Sequence, residues 1–204
     1  MPNDQRTLMC DVIAVELALA YVVIVFFVGP RRFRGEGGIG FVPRARRAPH
    51  EGTADVLLVI GFVALVAPAL GHFSTVAAAA VARAVVGVAI FACAVALALA
   101  AQREMGPAWR TGVDAAAPAS LVTGGPFRFV RNPVYSSMLL FAAAMLVLVP
   151  SVSAATGSLV VLAGLEVQSR LVEEPHLEAV HGEPYVELLR SVGRFVPGVG
   201  RRRS

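Results

Sequence analysis

The chain has 204 residues, of which 56% are hydrophobic and 16% charged, and its formal net charge is +4. A soluble domain carries nearer a quarter of its residues as charges, so this composition excludes an ordinary water-soluble fold and indicates an integral membrane protein. All 18 basic residues are arginine and they cluster between apolar runs, so the positive balance points to membrane topology and anionic headgroups, and away from nucleic acid.

About 20 apolar residues cross a bilayer, and the first such run is Leu8–Val28. It has no basic leader beyond Arg6, exceeds an ordinary signal core in length, and ends at Arg31-Arg32 rather than at a small-residue cleavage site. It therefore reads as a retained anchor. Residues 29–53 read as a Gly-, Pro- and Arg-rich loop lying against headgroups. Its Gly37-Gly38-Ile39-Gly40 lacks a preceding strand, so it does not make a dinucleotide-binding turn. The second and third apolar runs cover about 54–73 and 84–101. Residues 102–133 link the third run to the fourth and carry the single tryptophan, Trp109.

The fourth run (about 134–149) and the fifth (about 152–168) are short, and only Pro150 and Ser151 separate them, which predicts a tight helical hairpin. Residues 169–204 form a polar tail of helical character. Leu177, Val180, Leu188, Leu189 and Val192 supply its apolar face, with a break at Gly182 and a restart at Pro184. The expected fold class is all-α, a polytopic membrane helical bundle of about five transmembrane helices. Residues 1–101 hold three spans, and 102–204 hold the hairpin and tail.

Arginine placement orients this bundle. Six arginines fall in the first loop, four between the third and fourth runs and six after the fifth, leaving only Arg6 and Arg83 elsewhere. The positive-inside rule makes the arginine-rich side cytoplasmic. The N-terminus is then outside and the C-terminus inside.

Several chemistries are poorly supported. The four histidines (His50, His72, His176, His181) are scattered, and His176 and His181 are five apart, which misses the four-residue spacing of a helical ligand pair. No metal is expected. Cys10 and Cys93 lie within or beside apolar runs and have no nearby basic partner, so they read as two buried thiols. No G-x-S-x-G turn or phosphate-binding glycine loop is present.

Two polar clusters remain. In the first, Gly124-Gly125-Pro126 makes a turn before Phe127, Arg128, Phe129 and Arg131. Asn132 is placed to cap the next helix, with Pro133 at its first position and Tyr135 on its first turn. In the second, Arg170, Glu173, Glu174 and Leu177 share a face at ordinary helical spacing. Taken singly, these residues also fit an interfacial belt, an arginine anchor and a solvated helix end.

In this order and spacing, the clusters resemble the isoprenylcysteine carboxyl methyltransferase family and its relatives, the phospholipid N-methyltransferases. The matching elements are Leu121-Val122-Thr123, Gly125, Phe127, Arg131-Asn132-Pro133 and Tyr135, then Glu173-Glu174 and Leu177. His181-Gly182-Glu183-Pro184-Tyr185 and Arg194-Phe195-Val196-Pro197 follow. Upstream, Met105-Gly106-Pro107-Ala108-Trp109-Arg110-Thr111-Gly112 is similar to an M-G-x-x-W-R-x-G element of bacterial members. The likeness covers about residues 102–198.

The resemblance implies methyl transfer from S-adenosylmethionine at the cytoplasmic membrane face to a lipophilic or lipidated acceptor (a carboxylate, thiol or amine), most like isoprenylcysteine carboxyl O-methylation. Residues 102–204 become a methyltransferase-like region with a cytoplasmic helical cofactor-binding tail. The implied cofactor shell is Ser120, Leu121, Val122, Phe127, Asn132, Pro133, Val134, Tyr135 and Glu173. Tyr135 and Glu173 are the implied catalytic residues, with Arg170 pairing an anionic substrate. Asn132 stands where many members have histidine and cannot carry its charge. Membrane steroid reductases, which bind a nicotinamide cofactor at a related helix, are the rival class; a non-catalytic protein keeping only the fold is another. Two acids inside apolar runs are expensive unless paired or wet. Glu166 is placed either to line a substrate cavity or to hydrogen-bond structurally, and Glu16 is expected to be buried in the bundle or protonated.

Overall fold

The computed structural model describes residues 3–34, 50–70, 80–109 and 120–202. The first helix, α1 (Asn3–Val23), passes through a π-helical turn (Ile24–Val28) into α2 (Gly29–Arg34). Residues 29–34, expected to open the loop, therefore continue the first helix. Then come α3 (Glu51–Leu70), α4 (Ala80–Met105), α5 (Pro133–Leu148) and α6 (Val152–Val167). A second π-helical turn (Gln168–Glu173) joins α6 to α7 (Glu174–His181), and α8 (Glu183–Ser191) follows. Gly37–Gly40, His72 and Arg110 lie outside the described residues.

Among the described residues, four helical stretches are long and apolar enough to cross a membrane: Leu8–Phe33, Glu51–Leu70, Ala80–Ala108 and Val152–His181. The expected fourth span, α5, is a shorter apolar helix of 16 residues. At 1.5 Å per residue it reaches about 24 Å, less than the roughly 30 Å of a hydrocarbon core. The hairpin at Pro150-Ser151 forms, and the Ser151 hydroxyl caps α6 by accepting from the Ala154 amide at 3.0 Å. The fifth span runs on past Gln168 as one continuous helical stretch. The break comes at Gly182, whose φ of +62° suits glycine alone among common residues.

Lipid is as apolar as leucine, so helices in a bilayer are held by close packing and interhelical hydrogen bonds. At the α3–α6 crossing, a Cβ added at Gly61 would lie 2.8 Å from the Val161 amide nitrogen. One added at Gly157 would lie 2.7 Å from that of Leu65. Only hydrogen at both positions lets these backbones touch. On the other side of the bundle, Tyr21 of α1 stacks on Phe141 of α5 with centroids 4.5 Å apart. The Tyr21 hydroxyl is 2.7 Å from the Ser137 hydroxyl, which satisfies a polar group inside the apolar core.

Two expectations fail here. Cys93 is exposed on α4, while Cys10 is buried and its thiol donates to the Ala80 carbonyl at 3.4 Å. Glu16, expected to be buried in the bundle or protonated, is exposed on α1, so the burial alternative fails. Apolar residues surround α1 in sequence, so periodicity does not show which face is buried. The structure buries the stripe Cys10, Ala14, Ala18, Tyr21 and Val25, and Glu16 lies off it.

Candidate functional site

The chain approaches the bundle end through a turn that glycine makes possible. Gly125 has φ +50°, a backbone conformation that glycine adopts without strain. The following 3-10 turn (Gly125–Arg128) buries Phe127 and delivers Pro133 to the first position of α5. Asn132 occupies the cap position without capping. Its amide nitrogen donates instead to the Ser169 hydroxyl, 3.1 Å away on the second π-helical turn. That bond ties the start of α5 to the end of α6.

The tail returns alongside this segment. The Arg131 amide donates to the Gly193 carbonyl at 2.8 Å, the Asn132 amide to the Arg194 carbonyl at 3.1 Å, and the Ser136 hydroxyl to the Phe195 carbonyl at 2.7 Å. Arg131, 5% exposed, donates to the Leu189, Val192 and Gly200 carbonyls and to Glu174 at 2.9 Å. Arg194 donates to both oxygens of Glu174, at 2.8 and 3.1 Å, and to Glu166 at 3.0 Å. Burial opposes the charge on Arg194, but its bonds to Glu174 and Glu166 outweigh that and hold its pKa above the usual value. Burial likewise raises the Tyr185 phenol, with the nearby Glu174 charge adding to the effect. Glu166 is thus an ion-pair partner for the tail and does not line the cavity.

The two adjacent glutamates have divided roles. Successive helical residues point about 100° apart, so Glu174 faces the arginines while Glu173 turns toward α5. There it accepts a hydrogen bond from the Tyr135 hydroxyl, with Gln168 lying against both side chains. Helical spacing predicts a shared face for Arg170, Glu173, Glu174 and Leu177; a π-helical turn covers Gln168–Glu173, and the three charged residues go to different partners. Arg170 points outward and donates to Glu166.

Tyr135 and Glu173 open onto a cavity of about 520 Å³. Its polar groups are Asp55, Asn132, Tyr135, Gln168 and Glu173; apolar walls come from Val22, Phe26, Leu58, Val59, Phe62 and Met138. Phe62 lies two helical turns deeper along α3 than Asp55, so polarity falls away from the helix ends into the bundle. Val22 of α1 and Val59 of α3 line the apolar part of the cavity and are themselves exposed. Two lining groups are buried polar atoms without a hydrogen-bond partner: the Trp109 indole nitrogen and the Gln168 side-chain oxygen. Among the described residues, none that lines the cavity is basic.

Of the residues singled out from sequence, Phe127, Asn132, Pro133, Val134, Tyr135 and Glu173 line this cavity. Ser120 is exposed, Leu121 is half-buried and Val122 packs on the core; these three and Arg170 are not among the lining residues. Sequence reasoning missed the α1 and α3 walls, Asp55 and Gln168. An acid and an amide inside apolar runs were the available signals. Met105 and Trp109 also line the cavity, and both belong to the M-G-x-x-W-R-x-G element.

The family model for phospholipid methyltransferases matches residues 82–184, just over half the chain, from α4 to the start of α8. No curated protein matches the chain.

Proposed function

Because the chain belongs to the phospholipid methyltransferase family, we propose that its cavity binds S-adenosylmethionine and serves methyl transfer to a lipophilic acceptor at the cytoplasmic face of the membrane. The observation that carries this reading is the Tyr135–Glu173 pair, with Gln168 against both, facing a cavity large enough for a small molecule.

The residues present suit such a cofactor. A cavity of this size falls within the roughly 300–1,000 Å³ usual for small-molecule sites. A buried donor on Trp109 and a buried acceptor on Gln168 have no protein partner, and buried polar groups without partners are rare in folded proteins. The Glu173 carboxyl group faces the cavity and suits a sulfonium or an ammonium. Phe127, Asn132, Pro133, Val134, Tyr135 and Glu173 are the proposed shell, with Ser120, Leu121 and Val122 left out because they do not line the cavity. The N-terminal amides of α5 suit a carboxylate, and the Phe127 and Tyr135 rings suit a nearby cation.

When bound, the cofactor supplies a methyl carbon whose bond to sulfur breaks, the electron pair leaving on sulfur, as the acceptor's lone pair forms the new bond. The chain's task is alignment and charge. Tyr135 holds Glu173 in one orientation by hydrogen bonding, and the packing of α5 against α6 keeps that orientation. The apolar wall reaching Val22 and Val59 gives a lipid acceptor a route in from the bilayer. The arginine-rich segments support a cytoplasmic orientation for the polar mouth.

Purified protein incubated with methyl-labelled S-adenosylmethionine and fractionated cell lipids is expected to put label into a lipid fraction. Absence of label from every fraction contradicts the proposal.

A further inference from the structure

The helix that brings Val22 and Phe26 to the cavity changes register at its π-helical turn, Ile24–Val28, and Pro30 supplies a reason in the sequence. Proline has no N–H, and its ring crowds the carbonyl four residues back, so it disfavours the α-helical register there. The Gly29 amide donates to the Ile24 carbonyl, five residues back. The Val25 carbonyl would ordinarily be served by the amide of residue 29 or, in the wider register, of residue 30. The first is engaged elsewhere and the second carries no proton. Val25 is fully buried, and within a membrane an unsatisfied carbonyl is costly.

Gln102 of α4 supplies the donor. Its side chain is fully buried, and its amide nitrogen donates to the Val25 carbonyl at 2.6 Å. Gly29 makes room for it, since a Cβ there would overlap the Gln102 side-chain oxygen. Glycine, proline and glutamine thus form one socket. Gln102 stands one turn before Met105 on α4, and Met105 and Trp109 are both in the cavity wall. Beyond the socket, α2 packs against the 3-10 turn Gly106–Ala108, with the Phe33 carbonyl beside Gly106. One hydrogen bond therefore joins the wall carrying Val22 and Phe26 to the wall carrying Met105 and Trp109.

We infer that Gln102 is a positioning residue for the ligand site: its bond to Val25 locks α1 in the π register and sets the spacing of these two walls. Each residue of an α-helix turns the chain by about 100°, so loss of the extra residue in the turn swings α2 away from Gly106–Ala108. Trp109 then loses its support.

The test uses the full-length protein in detergent. Gln102→Leu is expected to lower the melting temperature by roughly 2–12 °C, the result of leaving a buried carbonyl unsatisfied. Trp109 is the single tryptophan and is 5% exposed, so its emission reports the wall directly. That emission is expected to move to longer wavelength in Gln102→Leu, and also in Gly29→Ala, which evicts the Gln102 side chain without replacing it. Pro30→Ala returns an amide to the turn. In that background Gln102→Leu is expected to cost less than half as much melting temperature, and the double variant folds even where the single one does not. Equal losses in both backgrounds overturn the inference, as does a wild-type emission maximum in both Gln102→Leu and Gly29→Ala.

A further readout rests on the methyltransferase reading. The binding midpoint for S-adenosylhomocysteine is expected to rise roughly threefold or more in Gln102→Leu, because fewer molecules hold the competent wall spacing. A wild-type midpoint in that variant overturns the positioning role. If the wild type itself does not bind S-adenosylhomocysteine, the cofactor reading fails, and the emission and melting temperatures still decide the socket.

Discussion

Glu173→Gln is expected to weaken S-adenosylhomocysteine binding and lower methyl-transfer kcat/KM by roughly 10- to 100-fold, the range set by losing a charged hydrogen-bond partner worth about 1.5–3 kcal/mol. The substitution is nearly isosteric, and the glutamine oxygen still accepts from the Tyr135 hydroxyl. The local geometry survives, and what disappears is the negative charge facing the cavity. Melting temperature is therefore expected to stay near that of the wild type. Tyr135→Phe provides the companion test: it keeps the charge but frees the carboxylate, so it costs less than the charge-removing variant. Activity and affinity within twofold of wild type in Glu173→Gln would remove Glu173 from the site.

The neighbouring substitution has the opposite profile. Glu174→Gln is expected to destabilise the protein by about 3–5 kcal/mol, the usual result of removing one member of a buried ion pair. Arg131 and Arg194 both depend on Glu174, and their side chains are only 2% and 10% exposed. Without the carboxylate two guanidiniums remain largely buried with a smaller share of countercharge, Arg194 keeping Glu166. The tail segment 192–202, pinned through Gly193, Arg194 and Gly200, is expected to loosen from the start of α5. For a chain of this size, each kcal/mol moves the melting temperature by about 2–4 °C, so thermal unfolding in detergent resolves the change. Limited proteolysis near Arg201 and Arg202 should accelerate in parallel. An unchanged melting temperature would contradict the clamp.

Much of this arrangement was legible in the residues themselves. The composition and apolar runs indicate a helical membrane bundle, Pro150-Ser151 a hairpin and Gly182 a helix break. Each rests on local chemistry that tertiary contacts do not easily overrule. The segment from Phe127 to Tyr135 and the distant Glu173 also come together as their ordered pattern suggests. What stayed hidden depends on register and on partners far along the chain. A spacing argument assumes 3.6 residues per turn and names no partners; a π-helical turn covers Gln168–Glu173, and Arg170, Glu173 and Glu174 each find a different partner. Asn132 has the composition of a cap, yet Ser169 offers its side chain a partner across the hairpin. The α1 and α3 walls are illegible for a different reason. Leucine, valine and phenylalanine suit a lipid-facing surface and an apolar cavity equally, so only the packed structure shows which of them line the site.

The central claim is that this cavity holds S-adenosylmethionine. Thermal unfolding of the full-length protein in detergent, with S-adenosylhomocysteine or with NADPH, tests it most directly. Ligand at 100 times its dissociation constant stabilises by about 2.7 kcal/mol, so S-adenosylhomocysteine is expected to raise the melting temperature by several degrees while NADPH leaves it unchanged. A rise with NADPH, or no rise with S-adenosylhomocysteine at saturating concentration, contradicts the account.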